Sequence, residues 1–170
     1  RVRRPAPRRR GRQPSAYAQE LLEKQKLRYT YGLKEKQLAG YVESALASPE
    51  DTDKALFRLL EERLDSIVYR AGFASTRRQA RQLVSHGHFL FKGYRVTVAS
   101  IIAKPGDSIE VREGSKNSPL FADLAARLSD HKDPAWISSK PADLKIEITD
   151  HPSASTYEFD FKRIIEYYTR

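Results

Sequence analysis

Between Thr76 and His86 the chain reads TRRQARQLVSH, and the side chains in that run suit one kind of chemistry. On a helix turning about 100° per residue, Ala80, Leu83 and Val84 share one arc. Arg77, Arg78, Arg81 and Ser85 share the arc beside it. A guanidinium is a planar donor fork that matches the oxygens of a phosphate. Three of them with a hydroxyl, and no acid between them, predict a phosphate-binding face. Thr76 and Gln79 have the T-x-x-Q spacing of a capping box. The amides at the Ser75-Thr76 helix start add the positive end of a helix dipole. The plainer reading is a solvated charged face, and the lack of any balancing acid weighs against it.

His86 and His88 follow at a helix-to-strand junction. A zinc site would need further ligands. With no cysteine and only two distant histidines, His131 and His151, no metal is expected. Stacking on, or hydrogen bonding to, an unpaired nucleotide is one role for the pair, and a junction satisfied by backbone is the other. Lys92 stands first in a Lys92-Gly93 turn, where Asn or Asp tolerates positive φ better. A lysine there suggests that its charge is used. Arg95 lies in the strand beyond.

The elements that must position these groups are legible around them. Ser15 opens a helix carrying Leu21, Leu22 and Leu27 that Gly32 interrupts, and Leu38, Tyr41, Val42, Ala45 and Leu46 give a second helix one apolar face. Leu56, Leu60, Leu64, Ile67 and Ala71 predict a single third helix ending at Gly72. The capped helix runs to about Ser85. HFLF and YRVTV then read as a hairpin, and Pro105-Gly106-Asp107 leads into a strand with Ile109 and Val111. Ser118-Pro119 is expected to start an amphipathic helix bearing Leu120, Phe121, Leu124 and Leu128. LKIEIT and YEFDF alternate as strands before an aromatic patch at Tyr167-Tyr168. The fold class is α+β.

Charge divides the same way. The chain has 170 residues and a net charge of +9. Residues 1–14 hold seven arginines and no acid, residues 63–95 hold seven bases and one acid, and the remainder is slightly acidic. Blocks of this kind point to a polyanion, nucleic acid first and an anionic membrane second. The arm 1–14, with Arg8, Arg9 and Arg10, has too little apolar content to build a core and is expected to be disordered until bound. No apolar run is long enough to span a membrane or to follow the basic start as a signal peptide would, so a soluble, non-secreted chain is expected. The chain has no methionine, which suggests that processing or trimming removed the initiator.

The stretch ERLDSIVYRAGFASTRRQARQLVSHGHFLFKGYRV, followed by KPGDSIEV, resembles the S-four RNA-binding domain in the version found in the bacterial-type small-subunit ribosomal protein S-four family. QELLEKQKLRYTYGLKEKQL resembles that family's N-terminal helical region and EYYTR its C-terminus, so the likeness covers residues 15–170. It implies a helical subdomain of 15–62 and 113–170 with an S-four module of short helices on a small antiparallel sheet inserted at 63–112. Arg63, Leu64 and Asp65 match the module's opening, and Arg70 and Gly72 match its first helix end. Arg77, Ala80, Arg81, Gln82 and Leu83 match the RNA-facing helix, and His86, Gly87 and His88 the junction. Lys24, Lys26, Arg28, Lys34 and Lys36 form a second expected contact line; a salt-bridged face with Glu20, Glu23 and Glu35 is the alternative. The family usually has Asn where this chain has Lys92, Pro where it has Ala99, and an apolar residue at Arg163. The cysteine zinc knuckle that many members carry upstream has no counterpart in these residues.

What the resemblance implies is a structural binder of the 5′ domain of small-subunit ribosomal RNA, acting early in assembly. It is expected in the cytoplasmic ribosome beside the mRNA entrance channel, touching ribosomal protein S-five, with no cofactor and no catalytic residue. Two rivals share the module. One is a pseudouridine-synthase-like enzyme, whose signature Arg63-Leu64-Asp65 imitates. The other is a stand-alone RNA binder, against which the terminal matches count. Membrane binding through the arm has no apolar anchor.

Overall fold

The computed structural model describes residues 11–170. The first helix, α1 (Ala16–Tyr31), begins where Ser15 Oγ accepts from the Ala18 amide at 3.2 Å. It ends where Gly32 takes φ +65°. Helix α2 (Glu35–Ala47) follows after three residues, its start held by Gln37 Oε1, which accepts from the Lys34 amide at 2.9 Å. The Ser15 start and the Gly32 stop of α1 stand where the sequence places them.

The expected third helix is two. Helix α3 (Thr52–Glu61) stops, and α4 (Leu64–Arg70) restarts after Glu62 and Arg63. The break is stabilised from a distance. The Glu62 carbonyl accepts from Ala103 N at 2.9 Å, Leu64 N donates to Ile101 O at 2.8 Å, and Arg63 pairs with Ile102 as an isolated bridge. Apolar spacing runs smoothly through the break, so periodicity alone hides it.

Helix α5 (Arg77–Ser85) leads into an antiparallel sheet of five strands: β1 (Phe89–Phe91), β2 (Tyr94–Val96), β3 (Ser108–Val111), β4 (Ile137–Lys140) and β5 (Lys145–Ile148). Their order across the sheet is β2-β1-β3-β5-β4. Phe89 pairs with Val96 on one side and Val111 on the other, and Ile109 pairs with Ile146. Phe89, Ile109, Val111, Ile146 and Ile148 are buried, so one face of the sheet closes the core.

Two expectations for the last third change, and one strand is new. Residues 118–128 form turns and a single short helix, α6 (Leu124–Arg127). Strand β4 is an element the sequence reading missed. YEFDF is not a strand; Asp160 Oδ1 accepts from Arg163 N at 3.2 Å and caps α7 (Phe161–Thr169). Arg163, in place of an apolar residue, stays on the surface and pairs with Asp160 at 3.2 Å. Helix α7 lies on α1: Arg170 Nε and Nη2 reach the Glu20 carboxylate at 2.6 and 2.7 Å, and Tyr167 packs on Tyr17 with centroids 5.7 Å apart.

Candidate nucleic-acid interface

Ala80, Leu83 and Val84 of α5 are buried against the core, which turns the neighbouring arc outward. Thr76 Oγ1 accepts from Gln79 N at 3.0 Å, as the capping-box spacing predicts. The returning Gln79 Oε1 accepts from the amide and hydroxyl of Ser75, both at 2.8 Å, one residue before the N-cap. Arg78, Gln82, Ser85 and His86 are exposed along the helix, with Ser75 at its start.

The three guanidiniums do not stand together as the helical arc implies. Arg77 turns inward. It lies between the rings of Tyr31 and Tyr69, 4.2 and 4.6 Å from their centroids, and donates to Ser66 Oγ at 3.1 Å and Glu61 Oε1 at 3.3 Å. Arg81 is partly exposed and reaches back to the carbonyls of Tyr31 (3.0 Å) and Gly32. Arg78 makes no ion pair among the described residues. One guanidinium is therefore outermost, one is clamped at the rim and one is structural.

The reason lies in a buried polar centre that the sequence reading did not identify. Glu61 is fully buried and accepts from Tyr31 Oη at 2.5 Å and from Arg70 Nε and Nη2 at 3.0 and 2.8 Å, besides Arg77. Burial pushes its carboxyl up, but the hydrogen bonds and charges of Arg70 and Arg77 outweigh that and leave it below the ordinary value. Burial and the adjacent Glu61 push the Tyr31 phenol up, so it stays a donor. Close by, Arg63 holds Asp65 in two bonds of 3.0 Å, and Asp65 Oδ1 also accepts from Ser66 N at 2.8 Å. The signal was present: Glu61-Glu62-Arg63 and Asp65 put four charges inside an apolar run, and such charges stay buried only when paired.

At the junction His86 is exposed and ends α5, with its ring 6.4 Å from His88. His88 Nδ1 lies 2.9 Å from Ser115 Oγ. Burial first, then His86, Arg112 and Arg95, hold the His88 imidazole below its ordinary value. Arg95 Nε donates to Gly87 O at 3.2 Å, packing across a glycine at φ +74° where a Cβ would sit 2.6 Å from that nitrogen. Lys92 does adopt φ +51°, and its ammonium lies 3.3 Å from Asp107, so its charge is used within the chain.

Along α1 the salt-bridged alternative takes form. Lys24 is buried, 2.7 Å from Glu35 and 4.4 Å from the Tyr167 ring centre. Lys26 is exposed and pairs with Glu23 at 3.1 Å, and Arg28 donates to Gln25 at 2.8 Å. Arg8, Arg9 and Arg10 lie outside the described residues. Among the described residues no group of three metal-ligating side chains occurs, and no helix is long and apolar enough to cross a membrane.

A helix with a basic outer face, seated on a second helix and followed by a hairpin, is the geometry assembled by residues 62–111. The family model described as the S4 domain matches residues 62–109, which places the protein in the class that carries this module. The model described as the ribosomal protein S4/S9 N-terminal domain matches residues 2–61. Small ribosomal subunit protein uS4 of Persephonella marina is 45% identical over 158 residues, covering 91% of this chain and 77% of that protein. That of a Roseiflexus species is 44% identical over 165 residues, 95% of this chain and 80% of the relative. The Corynebacterium kroppenstedtii protein is 44% identical over 92% of this chain and 79% of its own length. This chain belongs to the uS4 family of small ribosomal subunit proteins.

Proposed function

We propose that the chain is a structural component of the small ribosomal subunit that binds ribosomal RNA, with α5 and the β1–β2 hairpin as its principal RNA-facing surface. The observation that supports it most is the relationship itself, 45% identity across 91% of the chain to a small ribosomal subunit protein. Exposed Arg78, partly exposed Arg81, the Ser75 helix start, Gln82, Ser85, His86 and Arg95 supply donors for phosphates that converge at a folded junction. RNA of that kind is read by shape and backbone contact. Lys92 and Lys26 stand at the margins with part of their charge already engaged, and Lys24 braces α1 from inside. Within this reading the RNA is the 5′ domain of 16S-type ribosomal RNA, bound early in assembly in the cytoplasmic ribosome. Ribosomal protein S-five and mRNA at the entrance channel are the neighbours.

A pseudouridine-synthase-like reading finds no support in the geometry. Asp65 is buried, and its two oxygens are occupied by Arg63 and the Ser66 amide, so it offers no free carboxylate to a substrate.

Affinity for a 5′-domain RNA fragment, measured across a salt series, tests the proposal. If contacts number about 6–10, binding should weaken roughly 10³–10⁵-fold between 50 and 200 mM salt, by analogy with duplex DNA. A flat salt dependence, or tagged protein that sediments apart from small subunits in a lysate, would overturn it.

A further inference from the structure

Two tyrosine side chains near this surface stand largely in solvent. Tyr29, in the last turn of α1, is 71% exposed, and Tyr94, the first residue of β2, is 78% exposed. Among the described residues neither ring packs on another aromatic, whereas the less exposed Tyr17 lies on Tyr167. Single exposed apolar side chains are common on protein surfaces, so exposure alone means little. Position is what distinguishes these two.

The Arg28 guanidinium lies 4.5 Å from the Tyr29 ring centre. Tyr29 precedes by three residues the Gly32 carbonyl that Arg81 of α5 grips. At the other end of α5, Gly87 follows His86 and its carbonyl receives Arg95, the residue next to Tyr94. Through these contacts the C-terminal end of α1 and the start of β2 are both tied to α5 and the residues that follow it. The Tyr29 ring stands beside Arg28 at the α1 end, and the Tyr94 ring, on the strand face opposite Arg95, stands across from Phe91 at the hairpin end.

Resting on the RNA-binding reading above, we infer that Tyr29 and Tyr94 are stacking platforms for unpaired nucleobases that flank the phosphates held along α5. Arginines that neutralise a backbone at a folded junction bring splayed bases with it, and an exposed phenol beside a guanidinium presents a π-face to them. Stacking tolerates any base, so these rings add affinity without specifying sequence. They also add it without charge, which separates their contribution from that of the arginines.

The test uses the full chain and a 5′-domain ribosomal RNA transcript, with Tyr29→Ala, Tyr29→Phe, Tyr94→Ala and Tyr94→Phe. Dissociation constants are read across a salt series and thermal midpoints alongside. Each alanine variant should bind roughly five- to a hundredfold more weakly. The slope of log affinity against log salt and the melting temperature should match wild type, and each phenylalanine variant should bind as wild type does. Each ring is judged separately. Affinity within twofold of wild type for an alanine variant overturns the platform at that position. A phenylalanine variant as weak as its alanine counterpart also overturns it, because the hydroxyl would then carry the contact. Failure of the wild-type chain to bind the transcript overturns the RNA reading beneath it, and this inference with it.

Discussion

Replacing Glu61 by glutamine should destabilise the protein more than any single surface change, and the structure sets the size. The carboxylate is fully buried, with Arg70 at 3.0 and 2.8 Å, Arg77 at 3.3 Å and the Tyr31 hydroxyl at 2.5 Å. Glutamine keeps the volume and one acceptor, but turns an NH₂ group toward donors and leaves two guanidiniums without a counter-charge. Breaking a buried pair from one side costs about 3–5 kcal/mol. The Arg70 side chain is 32% exposed and recovers hydration, whereas Arg77 at 15% recovers little. The lower end of that range, about 3 kcal/mol, is therefore expected. At roughly 2–4 °C per kcal/mol for a chain of this size, the melting temperature should fall by roughly 6–12 °C.

The pH dependence gives the change a signature. The folded Glu61 carboxyl lies below its ordinary 4.5, so its stabilising effect is fully present above that value and is lost as pH falls through the lower folded one. Urea unfolding of both proteins should show a constant gap between about pH 6 and 8 that closes on acidification below the ordinary carboxylate range. A fall of less than 2 °C at neutral pH, or a gap that widens in acid, would refute the account of Glu61 as the charged hub beneath α5.

Gly87→Ala forces a side chain into φ +74° and against Arg95, so the melting temperature should drop by roughly 2–8 °C, read by circular dichroism. RNA affinity should fall with it as Arg95 is displaced. Arg78→Ala should leave stability within about 0.5 kcal/mol of wild type. It should also reduce the salt slope of RNA binding by about one, measured by titration. Deleting residues 1–14 leaves the Ser15 cap of α1 in place; RNA affinity should weaken while the thermal midpoint stays put.

The parts of this fold that local chemistry dictates were legible in advance. Ser15 and Gly32 delimit α1, Thr76 caps α5, and Lys92-Gly93 turns the hairpin with both residues at positive φ. Where distant partners decide, local pattern misleads. Periodicity carries one helix across Glu62-Arg63, but backbone bonds to Ile101 and Ala103 divide it in two. YEFDF alternates like a strand, yet no neighbouring strand receives it, and Asp160 instead caps a helix that docks on α1. The site shows the same split. Helical geometry identifies the buried arc of Ala80, Leu83 and Val84, but it places Arg77 with Arg78 and Arg81. Glu61 lies sixteen positions earlier in the chain, and its pull on Arg77 is invisible to any local window.

The contact between α1 and α7 sets a schedule for the nascent chain. Glu20 and its partner Arg170 are separated by 150 positions. At translation rates of roughly 5–20 residues per second, that separation is roughly 8–30 s of synthesis. Throughout that interval α1 can form its turns but lacks the arginine that neutralises Glu20 and the Tyr167 ring that covers Lys24. Helix α1 is made long before α7 and its packing is completed only when α7 follows, so through that interval its unfinished face stays open to chaperones and proteases.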